Sequence, residues 1–339
     1  MDFDSKVLDV KEFNDIWYRS CFYNAIIPVV EYCIHRIDSY IISDFGFTYN
    51  LDPDKENGTL TMKTLDSLDR ISYIKKLGIQ CETQERCVDF VPRIKNAISN
   101  DKLVIVLVDC YYETFRVDTY HKNHWEHALL VNGFDKNNFH IVESEFIDSV
   151  KYMQRTIEHA VLEECYNGFL DNIYDGGYGR TFFEFSIDKS LDADSLNKIQ
   201  EQLIREHLEK FVSEFASTKQ TLDCVSQYAE MISDKETEDY FEFINKSITN
   251  MNKIISSLKV NKYIIQKYFV EDDELKEVFS DIIRIFSSTR GILAKIYYTK
   301  KNRETYTNRI RDNLDKIRGL SERILEKEYD LAQKYLNGN

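Results

Sequence analysis

Residues that interrupt regular structure are scarce in this chain, which has three prolines and eleven glycines among 339 residues. So low a content argues against long disordered or low-complexity segments. No apolar run is long enough to span a bilayer, and the first residues, MDFDSKVLDVKEF, lack the apolar core of a signal peptide. Basic residues do not predominate either, and a net charge of −14 argues against nucleic acid as a partner. We therefore expect a globular cytoplasmic protein that does not bind membranes.

The chain also lacks the cysteine patterns of disulfide-rich or zinc-binding proteins. Its seven cysteines are odd in number, scattered, and form no CxxC pair, which is typical of reduced thiols in the cytosol. His121, His124 and His127 recur at every third position, as metal ligands on a helix do. On a helix, however, this spacing spreads over about 120° of the surface, which is wide for three ligands of one ion. We expect no metal site and no bound cofactor.

Two regions of different character meet near residue 188. Before it, apolar runs bounded by turn signals predict strands at KLVIVLV (102–108), EHALLVNGF, FHIVES and the end of GGYGRTFFEFSI (176–187). Helices are predicted at CFYNAIIPVVEYCIHRIDSYI, SLDRISYIKKLGI and VDFVPRIKNAIS. After it only helical periodicity remains, which favours an antiparallel bundle of four or five helices. The sequence predicts an α+β fold with two domains, residues 1–188 and an all-α domain at 189–339.

A predicted hairpin brings a histidine and an acid together. ALLV, NGFDKNN and FHIV follow His127 and have the pattern of strand, turn and strand. A turn centred near Asp135 pairs residues whose numbers sum to about 270, so Glu143 is expected opposite His127, about 5 Å away at Cβ. An imidazole facing a carboxylate is half of a catalytic triad, and the alternative is a cross-strand ion pair. Glu145 points to the same face and competes for this role.

The chain offers a nucleophile for this pair at the start of an apolar helix. Cys21 opens the segment CFYNAIIPVVEYC. A helix N-terminus stabilises a thiolate through its unpaired N–H groups and its dipole, and these N–H groups can also bind an oxyanion. Cysteine first, histidine about a hundred residues later and then an acid is the order of papain-like enzymes. The alternative for Cys21 is a small buried hydrophobic residue.

Three segments resemble a known family: SCFYNAIIPVVEY, VIVLVDCYYETFRVDTYHKNHWEHALLVNGFD and IVES. They are similar to the N-terminal domain of the butirosin biosynthesis protein H family, over roughly residues 12 to 187. The resemblance implies a papain-like cysteine-protease fold and the transfer of an acyl group from a carrier-protein thioester to an amine. A related branch, the transglutaminase-like amide synthase of closthioamide assembly, joins carrier-bound acyl units to a small diamine. Phosphopantetheine would then be present only on the carrier-protein donor.

The resemblance also implies roles for single residues. Cys21 would be the nucleophile, His127 the base and Glu143 the orienting acid, where the family usually has aspartate. The implied substrate-binding residues are Asn24, Asp109, Tyr111, Tyr112 and His124. A carboxylate at the end of a buried strand, as at Asp109, is costly unless a cation such as an amine substrate arrives. The alternative for Asp109 is a structural hydrogen-bond acceptor.

Charge is unevenly distributed along the chain. Residues 290–339 contain twelve Lys or Arg and seven Asp or Glu, a balance of +5, which leaves −19 for the other 289 residues. Carrier proteins are typically acidic, so a basic face would favour their docking. The candidate docking residues are Lys300, Lys301, Arg303, Arg309 and Arg311. The alternative is a solvated helical hairpin whose charges maintain solubility.

The sequence thus predicts a cysteine-dependent acyltransferase or amide synthase of secondary metabolism. Its partners would be a carrier protein and a small amine or diamine acceptor. If water replaced the amine, the same triad would give a thioesterase, peptidase or amidase. A degenerate site would instead give a non-catalytic binding protein.

Overall fold

The computed structural model describes residues 4–17, 19–51, 58–65, 69–144, 151–177, 179–188, 190–234, 240–269, 273–300 and 303–338. The chain forms two compact units. The first comprises Met1–Tyr40 and Leu68–Gln200, and the second comprises Ile41–Ser67 and Glu201–Asn339. The expected domain boundary at residue 188 lies inside the first unit. The segment at 41–67, which we expected in the N-terminal domain, belongs to the second unit.

The chain contains both strands and helices, as in an α+β protein. The strands are β1 (Lys6–Val7), β2 (Thr48–Leu51), β3 (Leu60–Lys63), β4 (Ile79–Gln84), β5 (Leu103–Asp109), β6 (Glu126–Phe134), β7 (Asn138–Ser144), β8 (Tyr152–Glu158) and β9 (Phe182–Ile187). The helices are α1 (Cys21–Ile34), α2 (Asp38–Ile42), α3 (Arg70–Lys76), α4 (Phe90–Ser99), α5 (His159–Asn172), α6 (Ala193–Ser213), α7 (Phe215–Gln220), α8 (Asp223–Asp234), α9 (Tyr240–Ile264), α10 (Asp273–Thr299) and α11 (Arg303–Leu336). A π-helical turn, Ile265–Phe269, follows α9 directly.

The first unit is built on one antiparallel sheet. Its strands lie in the order β4-β9-β5-β6-β7-β8, and β1 pairs with β6 outside this path. All seven residues of β5 are buried, because strands and helices cover it on every side. A strand that is buried on both faces consists of consecutive apolar residues. The run LVIVLV therefore predicted β5 from the sequence. Helix α1 packs against β5, β6 and β9.

Most of the predicted elements are present, with differences at strands of low apolar content. The predicted strands correspond to β5, β6, β7 and β9, while β4 and β8 were not expected. Strand β8 has the sequence YMQRTIE and leaves alternate residues accessible, so it lacks a continuous apolar signal. The long helix predicted from Cys21 is in fact α1 and α2. His35 adopts a left-handed φ of 56° between them and ends the first helix.

Hairpin β6–β7 carries the predicted acid and base, and its turn is fixed locally. The Asp135 carboxylate accepts hydrogen bonds from the backbone N–H groups of Asn137 and Asn138, both at 2.8 Å. Gly133 allows β1 to approach β6, since a Cβ atom at this position would lie 2.9 Å from the carbonyl oxygen of Lys6. Only glycine fits there without a shift of β1.

The second unit is mainly helical, as expected from the sequence beyond residue 188. Strands β2 and β3 form an antiparallel pair that packs on α8 and α9. In its core, the Tyr49 hydroxyl and Ser321 Oγ are 2.9 Å apart. Over the part of the chain that the structure describes, no helix combines the length and apolar character needed to cross a bilayer.

Candidate active site

Cys21 lies at the first turn of helix α1. Ser20 is the N-cap in an extended conformation, and its side chain accepts a long hydrogen bond, 3.5 Å, from the Tyr23 N–H. The first turn of α1 contains no acidic residue, so no carboxylate of this turn offsets the partial positive charge of the helix N-terminus. Cys21 is half-buried and has no disulfide partner. A thiol in this position has the electrostatic environment expected of a nucleophile.

His127 on β6 and Glu143 on β7 meet across neighbouring strands. Nε2 of His127 lies 2.9 Å from both Oε1 and Oε2 of Glu143. Because an ionised carboxylate can only accept hydrogen bonds, Nε2 carries the proton of this contact. Both side chains are buried, with exposures of 4% for His127 and 0% for Glu143. The contact that the sequence predicted is therefore present, while its catalytic role stays a prediction.

The register of the hairpin differs from the expected one. Next to the turn Phe134 pairs with Phe139, so paired residue numbers sum to 273; beyond a β-bulge between Val131 and Gly133, Leu130 pairs with Val142 and the sum is 272. On this register Glu143 is not directly opposite His127, and that expectation was wrong. The two side chains instead meet diagonally, within the reach of long side chains. The competing acid, Glu145, lies outside the described residues.

Cys21 is a near neighbour of His127, and its charge is among the causes that raise the pKa of the imidazole. Since Nε2 of His127 binds Glu143, Nδ1 is the ring nitrogen that remains for the thiol. Burial lowers the pKa of His127, but the charge of Glu143 and the contact with Cys21 outweigh burial and raise this pKa well above its usual value. The raised pKa favours the protonated imidazole. A protonated imidazole beside a cysteine favours the thiolate, which is the reactive form.

Glu143 is held by more donors than His127 alone. Its Oε1 accepts hydrogen bonds from the Ser144 N–H at 2.6 Å, from Ser144 Oγ at 2.9 Å and from Nη1 of Arg116 at 3.3 Å. Burial raises the pKa of Glu143, but His127 and Arg116 outweigh it, so the net direction is downward. Glu143 is thus ionised and fixed in orientation.

Two fully buried charged residues in the β5–β6 loop were not identified from the sequence. Arg116 and Glu113 are both 0% exposed. Among the described residues, neither carboxyl oxygen of Glu113 has a nitrogen or oxygen donor, and the Cys110 thiol adjoins it. Burial and the nearby charge of Glu143 raise the pKa of Glu113 to about 7. Charged residue types in a polar loop predict a surface position, so the sequence contained no signal for this cluster.

Asp109 is paired within the protein. Its Oδ2 accepts a hydrogen bond from Nδ1 of His124 at 2.6 Å, and its Oδ1 accepts from the N–H groups of Tyr111 at 3.0 Å and Trp125 at 3.2 Å. The Tyr111 ring stacks between His124, at 4.4 Å, and His121, at 5.1 Å. The geometry favours the structural alternative for Asp109. Both of its carboxylate oxygens, which would bind an amine, already accept hydrogen bonds from protein groups.

The other two predicted substrate-binding residues also have partners in the first unit. Tyr112 packs on Gly168 of α5, where a Cβ atom would lie 2.2 Å from its ring. Its hydroxyl accepts a hydrogen bond from Nδ2 of Asn172 at 3.4 Å. Asn24 is buried and donates from Nδ2 to the Ser20 carbonyl at 2.8 Å. Asn24 thus stabilises the helix start that carries Cys21.

The remaining thiols are in less reactive environments. Burial is the largest cause of a raised pKa in all six: about 12 for Cys33 and Cys81, about 11 for Cys87, and upward shifts for Cys110, Cys165 and Cys224. Thiols with raised pKa values are protonated at neutral pH and react slowly. None of the six has the helix-terminal position and histidine partner of Cys21.

A cavity of about 300 Å³ lies in the first unit, and none of the three residues of the predicted triad lines it. Its apolar lining consists of Phe22, Tyr23, Ile71, Leu107 and Phe183, and its charged lining consists of Asp69, Arg70, Glu126 and Arg180. Phe22 and Tyr23 follow Cys21 in the chain, and Glu126 precedes His127. The lining is therefore contiguous in sequence with both the nucleophile and the base.

Of the predicted docking residues, Lys300 follows α10, and Arg303, Arg309 and Arg311 belong to α11. Arg309 and Arg311 are exposed on α11, and Nζ of Lys300 lies 5.3 Å from the centre of the Phe241 ring. Arg303 is the first residue of α11. Lys301 lies outside the described residues. The helix thus presents at least two arginines to solvent.

The regularly spaced histidines His121, His124 and His127 each contact other side chains. Where side chains are described, no group of three His, Cys, Asp or Glu is placed to hold a metal ion. His127 is engaged with Glu143, whereas His121 and His124 stack on Tyr111. No protein-family model matches the chain, and no curated protein matches it significantly.

Proposed function

We propose that this protein is a cysteine-dependent acyltransferase, or amide synthase, in which Cys21 is the nucleophile. The observation that carries the proposal is the contact of His127 with Glu143, with Cys21 close enough to act on the imidazole. Cysteine on a helix N-terminus, histidine on a strand and acid on the next strand also support a papain-like fold for the first unit. The proposed location is the cytoplasm.

The first half-reaction would transfer the acyl group to sulfur. The Cys21 thiolate attacks the thioester carbonyl, and the oxyanion that forms is stabilised at the N-terminus of α1, where the Cys21 N–H is unpaired by the helix. The C–S bond to the donor breaks, and the protonated His127 gives its proton to the leaving phosphopantetheine thiol. The products are an acyl-enzyme and a neutral imidazole.

The second half-reaction would restore the resting state. An amine attacks the acyl carbonyl, and His127 accepts the proton that the amine loses. The C–S bond to Cys21 breaks, which releases an amide and the thiolate beside the protonated imidazole. The donor is proposed to be a carrier protein, which the exposed Arg309 and Arg311 would attract, and the acceptor a small amine or diamine.

A small acyl thioester, offered with and without a panel of amines and diamines, tests this proposal. Mass spectrometry should detect an acyl adduct on the wild type and on Cys87→Ala, a matched change at another half-buried thiol, but not on Cys21→Ala. Amines should convert the adduct to amide. Hydrolysis at a rate independent of every amine would identify a hydrolase with the same triad. The absence of any adduct would favour a non-catalytic binding protein.

A further inference from the structure

We propose that Arg116 is a positioning residue, which acts on His127 through Glu143 and keeps this acid ionised throughout the reaction cycle. The inference rests on the proposed role of Cys21 and His127. Nη1 of Arg116 donates to Oε1 of Glu143 at 3.3 Å, and both side chains are 0% exposed. Arg116 therefore contacts the orienting acid from a side that solvent does not reach.

The backbone of Arg116 is fixed by the loop between β5 and β6. Its N–H donates to the carbonyl of Glu113 at 3.0 Å, and its carbonyl accepts from the N–H groups of Thr119 at 3.0 Å and Tyr120 at 2.7 Å. Three backbone hydrogen bonds within eight residues make this loop a compact turn rather than a free connection. The guanidinium is thus aimed at β7 by a structured loop.

Asp118 fixes the guanidinium itself. Its two carboxylate oxygens accept from Nε at 3.1 Å and from Nη2 at 3.3 Å, which is the two-point geometry that arginine forms with a carboxylate. This contact occupies one edge of the guanidinium and leaves Nη1 for Glu143. A lysine in place of Arg116 would supply the charge without this fork.

The reaction cycle explains why Glu143 needs a second cation. In the resting state His127 is protonated and pairs with Glu143. Once His127 has given its proton to the leaving thiol, Glu143 would be a fully buried carboxylate beside a neutral ring. A buried charge without a cationic partner is strongly disfavoured, so the pKa of Glu143 would rise in this state.

Arg116 prevents this outcome because a guanidinium does not lose its proton in proteins. It therefore keeps a positive charge against Glu143 in both halves of the cycle. Ionised Glu143 in turn holds the Nε2 proton of His127, so that Nδ1 stays directed at Cys21. Two of the four donors to Glu143 come from Ser144, which is neutral, so Arg116 is the permanent cation among them.

The pH dependence of Cys21 alkylation by iodoacetamide, together with NMR titration of His127, tests this role without any acyl substrate. Arg116→Met should slow alkylation at pH 7 at least tenfold and raise the pH at which His127 titrates, because the loss of a buried cation favours protonation of the groups beside it. Arg116→Lys should recover part of both. Arg93→Met is the matched control, because Arg93 also pairs with a buried acid, Glu184, in the same unit. It should change neither readout.

A double-mutant cycle decides whether Arg116 acts through Glu143. In a Glu143→Gln background, Arg116→Met should add no further loss. If Arg116→Met slowed alkylation by the same factor in the Glu143→Gln background as in the wild type, the proposal would be wrong. An equally slow alkylation in Arg93→Met would also overturn it. If Arg116→Met fails to fold, Asp118→Asn, which removes the fork that orients the guanidinium, must change the His127 titration, and an unchanged titration there would refute the proposal. Failure of the proposed acyl transfer appears separately, in the thioester assay.

Discussion

Replacement of Glu113 by glutamine should remove a pH-dependent loss of stability from the first unit. Burial, with the charge of Glu143, raises the pKa of Glu113 from 4.5 to about 7. The folded state therefore keeps the proton of Glu113 over a pH range in which the unfolded chain has released it. The contribution to stability is complete below the unfolded pKa and is lost as the pH rises through 7. Glutamine has nearly the same shape and does not ionise.

The difference between the two pKa values sets the magnitude. Each pKa unit corresponds to 1.36 kcal/mol, so wild type should lose about 3 kcal/mol relative to Glu113→Gln between pH 4.5 and pH 7. A change of this size is a large fraction of the stability of an ordinary domain. The two proteins should differ little in their pH slope below 4.5, where the carboxyl is protonated in both states.

Denaturant unfolding followed by tryptophan fluorescence measures this difference in the relevant unit. Both tryptophans, Trp17 and Trp125, belong to the first unit. Glu164→Gln, at an exposed acid on α5, is the control and should show the wild-type pH dependence. A free-energy difference between wild type and Glu113→Gln that stays constant from pH 4 to pH 8 would refute the reasoning.

Further predictions concern the proposed chemistry and docking. Among the seven thiols, Cys21 should react first with iodoacetamide at neutral pH, as mass spectrometry of peptides after limited labelling will show; earlier labelling of another thiol contradicts its assignment. His127→Ala should abolish formation of the acyl-enzyme, whereas Glu143→Gln should leave slow turnover, because an orienting acid contributes less than the base. If His127→Ala and Glu143→Gln reduced the single-turnover rate equally, that result would argue against these roles. Reversal of Arg309 and Arg311 to Glu should slow acylation from a carrier-bound donor and weaken its salt dependence, but not acylation from a small thioester. Equal slowing with both donors would mean that α11 supports the fold.

The sequence predicted those elements whose burial shows directly in residue type. Strand β5 is a continuous apolar run because it is covered on both faces, and α1 begins where the apolar segment at Cys21 begins. Strands β4 and β8 escaped prediction because their exposed positions are polar, which leaves half of each strand without an apolar signal. The segment at 41–67 contains nothing that marks it as part of the second unit, since that association depends on contacts with residues far along the chain.

The same distinction between local sequence and tertiary contacts holds for the candidate site. Sequence alone determined which residue types could meet, because a cysteine at a helix start and a histidine and an acid on one hairpin are local features. Only the tertiary structure decided that His127 meets Glu143 diagonally, since the turn position and a β-bulge between Val131 and Gly133 together set the register. It also decided that Glu113 and Arg116 are buried, because the cost of burying a charge is offset only by partners that folding supplies from other strands and loops.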